Sequence, residues 1–111
     1  MANNQQMDLL KRGTQAWNAW RAQQTEPTID LSGADLRRAD FRGANLGGAD
    51  LTGARLEGAN FFKAVIEGAD LNQADLRGVQ FLHCPQLESA RNWQAAYRDQ
   101  DLACGAAIPS R

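Results

Sequence analysis

The residues that could do chemistry are few, and most keep to a grid. Asp30, Asp50 and Asp70 recur at intervals of twenty, with Asp35, Asp40, Glu57 and Glu67 between them and Asp75 after. Paired carboxylates are the machinery of many hydrolases, provided that the surroundings raise the pKa of one of them. An exposed column of aspartates offers no such surroundings, and its self-repulsion is only partly screened by water. His83 is a lone histidine without a cluster of further ligands, so no metal centre is expected. Ser32, Ser89 and Ser110 lack the context of a nucleophile elbow. Glycine is plentiful, but it follows the same grid, and no dinucleotide or phosphate loop is needed to explain it. No catalytic residue, cofactor or metal is therefore expected, and the chain reads as a non-enzyme.

Cys84 and Cys104 are too few for a disulfide framework. In a reducing cytosol the expectation is two half-buried thiols, with a Cys84–Cys104 bridge as the alternative. The formal net charge of -1 gives no push toward nucleic acid or an anionic membrane. No apolar run approaches the roughly 20 residues needed to span a bilayer. The opening MANNQQMDLLKRG has no apolar stretch of the signal-peptide kind. A cytoplasmic location is expected, with neither nucleic acid nor membrane as partner.

The grid itself dictates the elements. Large apolar residues stand at Leu31, Leu36, Phe41, Leu46, Leu51, Leu56, Phe61, Ile66, Leu71, Leu76 and Phe81. Two places before each stands a smaller one, from Ile29 and Ala34 to Ala74 and Val79. Eleven consecutive five-residue units thus run from Ile29 to His83. An α-helix would carry residues five apart around its axis, and a flat strand would flip them between faces. Each unit must instead hold a short extended piece and a turn. Gly33, Gly43, Gly48, Gly53, Gly58, Gly68 and Gly78 sit two places after a large residue, where a type II turn needs φ > 0. Arg38, Lys63, Gln73 and His83 hold that place elsewhere, which predicts type I or distorted turns there.

Phe41, Phe61 and Phe81 are spaced by twenty, or four units, which predicts a coil of four sides with the rings stacked inside. Such a chain is a β-solenoid, an all-β fold whose coils pair at a spacing of about 4.8 Å. The units ADLRR, ANLGG, ADLTG and ADLNQ resemble the pentapeptide-repeat family, whose consensus is A(D/N)LXX. Arg55, Val65, Val79 and Gln80 depart from it. The resemblance implies a right-handed, four-sided parallel β-helix, here of about 2.75 coils at twenty residues per coil. It implies no single function.

Three segments follow: a helical cap over residues 1–28, the repeats over 29–83, and a second helical cap with a tail over 84–111. Bare solenoid ends aggregate unless covered. A helix over about Gln5–Gln24 would turn Leu9, Leu10, Gly13, Trp17 and Trp20 to one face, with Asn3 or Asn4 as N-cap and Pro27 as its stop. A helix over Leu87–Arg98 would do the same with Ala90, Trp93 and Tyr97. Capping is assigned to Leu10, Trp17, Trp20, Trp93 and Tyr97.

On the outside, the columns Asp35–Arg55–Asp75 and Arg37–Glu57–Arg77 alternate in sign, which predicts ion pairs between coils that fix register. Phe62 and Leu82 form one apolar outer column, with Val65 beside it. Either the tail Leu102–Ile108 folds over these residues, or they form a dimer or partner interface. The expected function is a non-catalytic protein-interaction or scaffold module, a monomer or weak homodimer. The alternative rests on the resemblance alone: some relatives are acidic rods that mimic DNA on DNA gyrase. The repeats carry eight acidic and six basic residues, only two net negative charges, against the roughly eight that a duplex of that length would demand.

Overall fold

The computed structural model describes residues 2–24 and 28–110. From Ile29 to Gln80 the backbone repeats one cycle per unit. The carbonyl of each large apolar residue accepts the N–H three places on, as in Ala64 to Phe61 at 2.9 Å and Ala74 to Leu71 at 3.0 Å. Between them the grid glycines hold φ of about 70°, for example 67° at Gly33 and 74° at Gly78. Arg38, Lys63 and Gln73 hold φ of 61°, 58° and 60°, so these turns are neither type I nor distorted as the residue types had suggested. The reason is in the ladder. At Arg38 and Gln73 the N–H donates to the neighbouring coil, to Glu57 at 2.9 Å and to Ala95 at 3.2 Å. Those bonds hold the left-handed conformation against a side-chain cost of about 1–2 kcal/mol.

Coils pair through isolated parallel bridges rather than long strands. Asp30 pairs with Asp50 and Asp50 with Asp70; Asp35 with Arg55 and Arg55 with Asp75; Asp40 with Asn60 and Asn60 with Gln80; and Asn45 with Val65. Every step is twenty residues, four units per coil. The aspartates and asparagines next to the bridges have a local task. Asp30 accepts from the N–H of Ser32 at 3.1 Å, Asn45 from Gly47 at 3.1 Å and Asp70 from Asn72 at 3.0 Å. These Asx contacts prime each turn, which is why the grid favours Asp and Asn there.

The interior takes Leu31, Leu36, Phe41, Leu46, Leu51, Leu56, Phe61, Ile66, Leu71 and Leu76, all buried. Phe41 and Phe61 lie 5.3 Å apart between ring centroids. Phe81 does not join them. It is 55% exposed at φ 58°, and Leu82 is the buried residue instead. The last twenty-residue bridge is at Gln80; the next pairing, Asp70 with Arg91, spans twenty-one residues. One extra residue has entered at Phe81, and Leu82 takes the inward place.

The N-terminal cap is two helices rather than one. Helix α1 (Asn4–Lys11) is N-capped by Asn3, whose side chain accepts from Gln6 N–H. Helix α2 (Thr14–Gln23) follows a break at Gly13, where φ is 112°. Gly13 therefore turns the chain instead of easing a continuous helix onto the coil. Leu10 and Trp17 are buried, Trp20 is half-buried, and the two indoles lie 5.2 Å apart. The expected stop at Pro27 lies outside the described residues.

The C-terminal segment departs most from expectation. A single helix over Leu87–Arg98 does not form. A short helix α3 (Cys84–Glu88) is followed by two more ladder pairings, Asp70 with Arg91 and Asp75 with Tyr97. Arg91 N–H donates to Ala69 at 2.7 Å and Leu76 N–H to Tyr97 at 2.8 Å. The unpaired edge of the last regular coil outcompetes local helix formation, and Asn92 at φ 58° breaks the helical path. Two 3₁₀ turns, Trp93–Ala95 and Gln100–Leu102, complete the segment. Tyr97 is thus a ladder residue, and Trp93 is half-buried against the core.

Candidate interaction surface

The outward positions of the coil present polar side chains except at one place. Phe62 is 44%, Val65 46% and Phe81 55% exposed. Phe62 follows the buried Phe61, and its N–H is held by Asn60 Oδ1 at 3.0 Å, which turns the side chain outward. Phe81, expelled by the inserted residue, packs edge-on against Phe62 at 5.4 Å. The Lys63 ammonium lies 5.3 Å from the centre of the Phe62 ring. The sequence had placed Phe62, Val65 and Leu82 on this face; Leu82 is buried and Phe81 stands in its stead. The spacing of twenty points to Phe81 as a core ring, and only the neighbouring apolar Leu82 hints that the two can trade places. The tail does not cover the patch, since Phe62 remains exposed while Leu102 is buried.

The charged columns also pair differently. Arg37 grips Asp35 through Nε and Nη2 at 2.8 Å each. Arg42 grips Asp40 and Arg77 grips Asp75 in the same two-pronged way. These pairs lie within one unit, two residues apart, not between coils. Glu57 adds a weaker attraction from the next coil to both Arg37 and Arg77. The Arg37 hydrogen bonds hold the Asp35 carboxyl down at about 2. Arg42 lowers Asp40, Ser32 lowers Asp30, and Asn92 lowers Asp70. Each shift favours the ionised form, the opposite of what a general acid requires.

Cys84 and Cys104 are joined in a disulfide, with Cα atoms 5.6 Å apart, so the expectation of two thiols is overturned. Their separation of twenty residues, one coil, is the signal the sequence holds. Glu88 lies close enough to complete a three-ligand cluster, but both sulfurs are spent on each other. The residue that sequence reasoning missed is Arg98. It is buried and donates to the carbonyls of Ala96, Leu102, Ala103, Gln94 and Ala107, while its guanidinium stacks 5.2 Å from the Trp93 ring. Burial lowers its pKa. Its role is to hold the tail.

Among the described residues no helix is long and apolar enough to cross a membrane. No curated protein matches the chain. Among solved structures, the chain is similar to alr5209, a pentapeptide repeat protein from Nostoc Pcc 7120. The identity is 27% over 83% of this chain and 91% of that one, with a TM-score of 0.27. The model of the family described as pentapeptide repeats matches in eight copies over residues 29–58 and 39–78. With the five-residue cycle and the twenty-residue ladder described above, residues 29–78 are pentapeptide repeats.

Proposed function

We propose that the protein is a non-catalytic interaction module, a right-handed, four-sided β-helix whose outer face docks another protein. The observation that carries this reading is the exposed aromatic pair Phe62 and Phe81, in contact at 5.4 Å, with Val65 also exposed, on an otherwise polar coil. Aromatic residues that are exposed and already in contact are the usual anchors of protein interfaces. The interior is filled by side chains, which leaves the outside for function. The lowered carboxylate pKa values argue against hydrolytic chemistry. Their pairing with arginine argues against a DNA mimic, because the paired carboxylates present little net charge. A protein partner fits the near-neutral composition.

The test is a double variant, Phe62→Glu with Phe81→Glu, compared with the wild type. Affinity purification from the native host should lose one specific protein with the variant while the melting temperature stays within a few degrees. Sedimentation of both forms separates a homodimer from a different partner. An unchanged set of captured proteins and an unchanged sedimentation coefficient would remove this face from consideration.

A further inference from the structure

Cys84 and Glu88 stand at the two ends of α3, four residues apart, and so on one face of the helix. Cys104 reaches the same place from the tail. One ligand atom from each of the three, two sulfurs and a carboxylate oxygen, lies within 4.8 Å of the others. Both cysteines are half-buried and Glu88 is exposed, so solvent reaches the cluster. The Glu88 carboxylate takes part in none of the described ion pairs. It also closes a helix that has no basic residue in its last turn, an end that favours a cation nearby.

The disulfide is not the sole support of this arrangement. On one side, Leu87 is buried, and Gln86 Nε2 donates to the Phe61 carbonyl at 3.0 Å and to the Ala64 carbonyl at 2.8 Å. These contacts seat α3 on the coil. On the other side, Arg98 Nη1 donates to the Leu102 and Ala103 carbonyls at 2.8 Å each. Cys104 and Gly105, at φ 53° and 80°, form a tight turn closed by Ala106 N–H on the Ala103 carbonyl at 2.9 Å. None of these bonds passes through sulfur. A reduced chain keeps two thiols and one carboxylate facing each other.

We propose that the reduced chain binds one Zn²⁺ through Cys84, Glu88 and Cys104, so that the same corner latches the tail in either redox state. A dithiol supplies two electrons and two protons: the Cys84–Cys104 bond breaks, both sulfurs become thiols, and the dithiol closes to its own disulfide. Zinc then displaces the two thiol protons into solvent and forms two Zn–S bonds and one Zn–O bond. Water takes the fourth, solvent-facing place. Two Zn–S bonds of about 2.3 Å at a tetrahedral angle set the sulfurs about 3.8 Å apart. The Cα separation of 5.6 Å allows this by side-chain rotation alone. Thiolates select zinc over magnesium or calcium, which take oxygen ligands. The site is separate from the Phe62 face and does not depend on it.

The test starts from protein reduced with a phosphine, freed of reductant and kept from air. Co²⁺ is titrated in, and the sulfur-to-cobalt charge-transfer absorption is followed. It should saturate at one Co²⁺ per chain, and Zn²⁺ should abolish it. The oxidised protein should show none. Glu88→Gln keeps both thiols, so the absorption should persist while affinity falls about tenfold or more, at least the cost of losing a mere supporting group. His83→Ala, next to Cys84 but outside the cluster, should bind as the wild type does. Zn²⁺ should slow amide exchange at residues 102–107 of the reduced chain and leave the oxidised chain unchanged. No absorption at about 1 mM Co²⁺, far beyond what a thiolate site requires, overturns the proposal. So does saturation at one metal per two chains, which would place the metal between copies. Equal affinity of Glu88→Gln and the wild type overturns the ligand set, and metal binding without protection of the tail overturns the latch.

Discussion

At its N-terminal end the coil is closed by side chains of two helices; at its C-terminal end it is closed by its own backbone. Gln6, Trp17, Asn18 and Arg21 reach down to two sides of the first coil with their side chains, and Asn3, just before α1, adds its main-chain N–H. At the far end the chain lays Arg91 and Tyr97 onto the last coil as further ladder residues. Gln86 Nε2 bonds the Phe61 and Ala64 carbonyls, and Asp99 accepts from Gly78 N–H at 2.7 Å. Side-chain closure is discontinuous and leaves two sides bare. Backbone closure follows the ladder but carries irregular chain with it, and that chain must be held by something else. The disulfide and Arg98 supply the hold.

The comparison predicts where each end breaks. The largest loss should follow removal of the disulfide. Replacing Cys84 and Cys104 together by serine frees a loop with a sequence separation of 20, which costs about 3 kcal/mol on chain-entropy grounds. Urea melts of the variant, and of the wild type with and without a thiol reductant, measure it. An equally stable variant would mean that the ladder pairings of Arg91 and Tyr97 hold the tail unaided.

Arg98→Met should come next, at about 2 kcal/mol, because buried carbonyls lose a charged donor that no neighbour replaces. Tail residues 102–107 should then exchange their amides faster while residues 3–10 are unaffected. A loss that spreads to the N-terminal helices would deny that the two ends are separate devices.

At the other end, Trp17→Phe leaves a smaller aromatic ring in a fully buried site and removes the bond to the Asn45 carbonyl. That carbonyl retains Arg21 at 3.3 Å, so the cost should be only about 1 kcal/mol. A loss as large as that of Arg98→Met would show that the cap depends on one anchor and not on several shared ones.

The smallest effect is electrostatic. Asp35, held at about 2 against an ordinary value near 3.8, stabilises the folded state only while ionised. Its contribution is full above the unfolded pKa, about 3.9, and fades as pH falls through about 2. Because the pair is open to solvent, salt should screen it. Asp35→Asn should flatten the pH dependence of the urea midpoint in that window, with its small cost fully present at pH 7 and fading as pH falls toward about 2.

What was legible in the sequence was what repeats. Ten of the large apolar positions from Leu31 to Leu76 are buried because each unit is constrained by the coil before and after it. Phe81 fails because the register slips by one residue there, and Leu82 takes the inward place. Ala90, Trp93 and Tyr97 share a helical face by spacing, yet Tyr97 pairs with Asp75. Local periodicity cannot register an edge that lies outside the segment itself, at Asp70 and Asp75. The positive charge on Arg98 likewise gave no sign of burial, since its five acceptors belong to irregular chain. The apolar outer face was legible through Phe62 and Val65, and its third member only through the slip that exposes Phe81.

Native-state amide hydrogen exchange tests the contrast between the two ends most directly. If the C-terminal end is closed by ladder and the N-terminal end by side chains, Arg91 and Tyr97 should be protected nearly as well as Asp50 and Asp75. Asp30 and Asn45 should be intermediate, and Asp35 and Asp40 should exchange almost as in an unfolded chain. Rapid exchange at Arg91 and Tyr97, or strong protection at Asp35 and Asp40 in the isolated monomer, would contradict it.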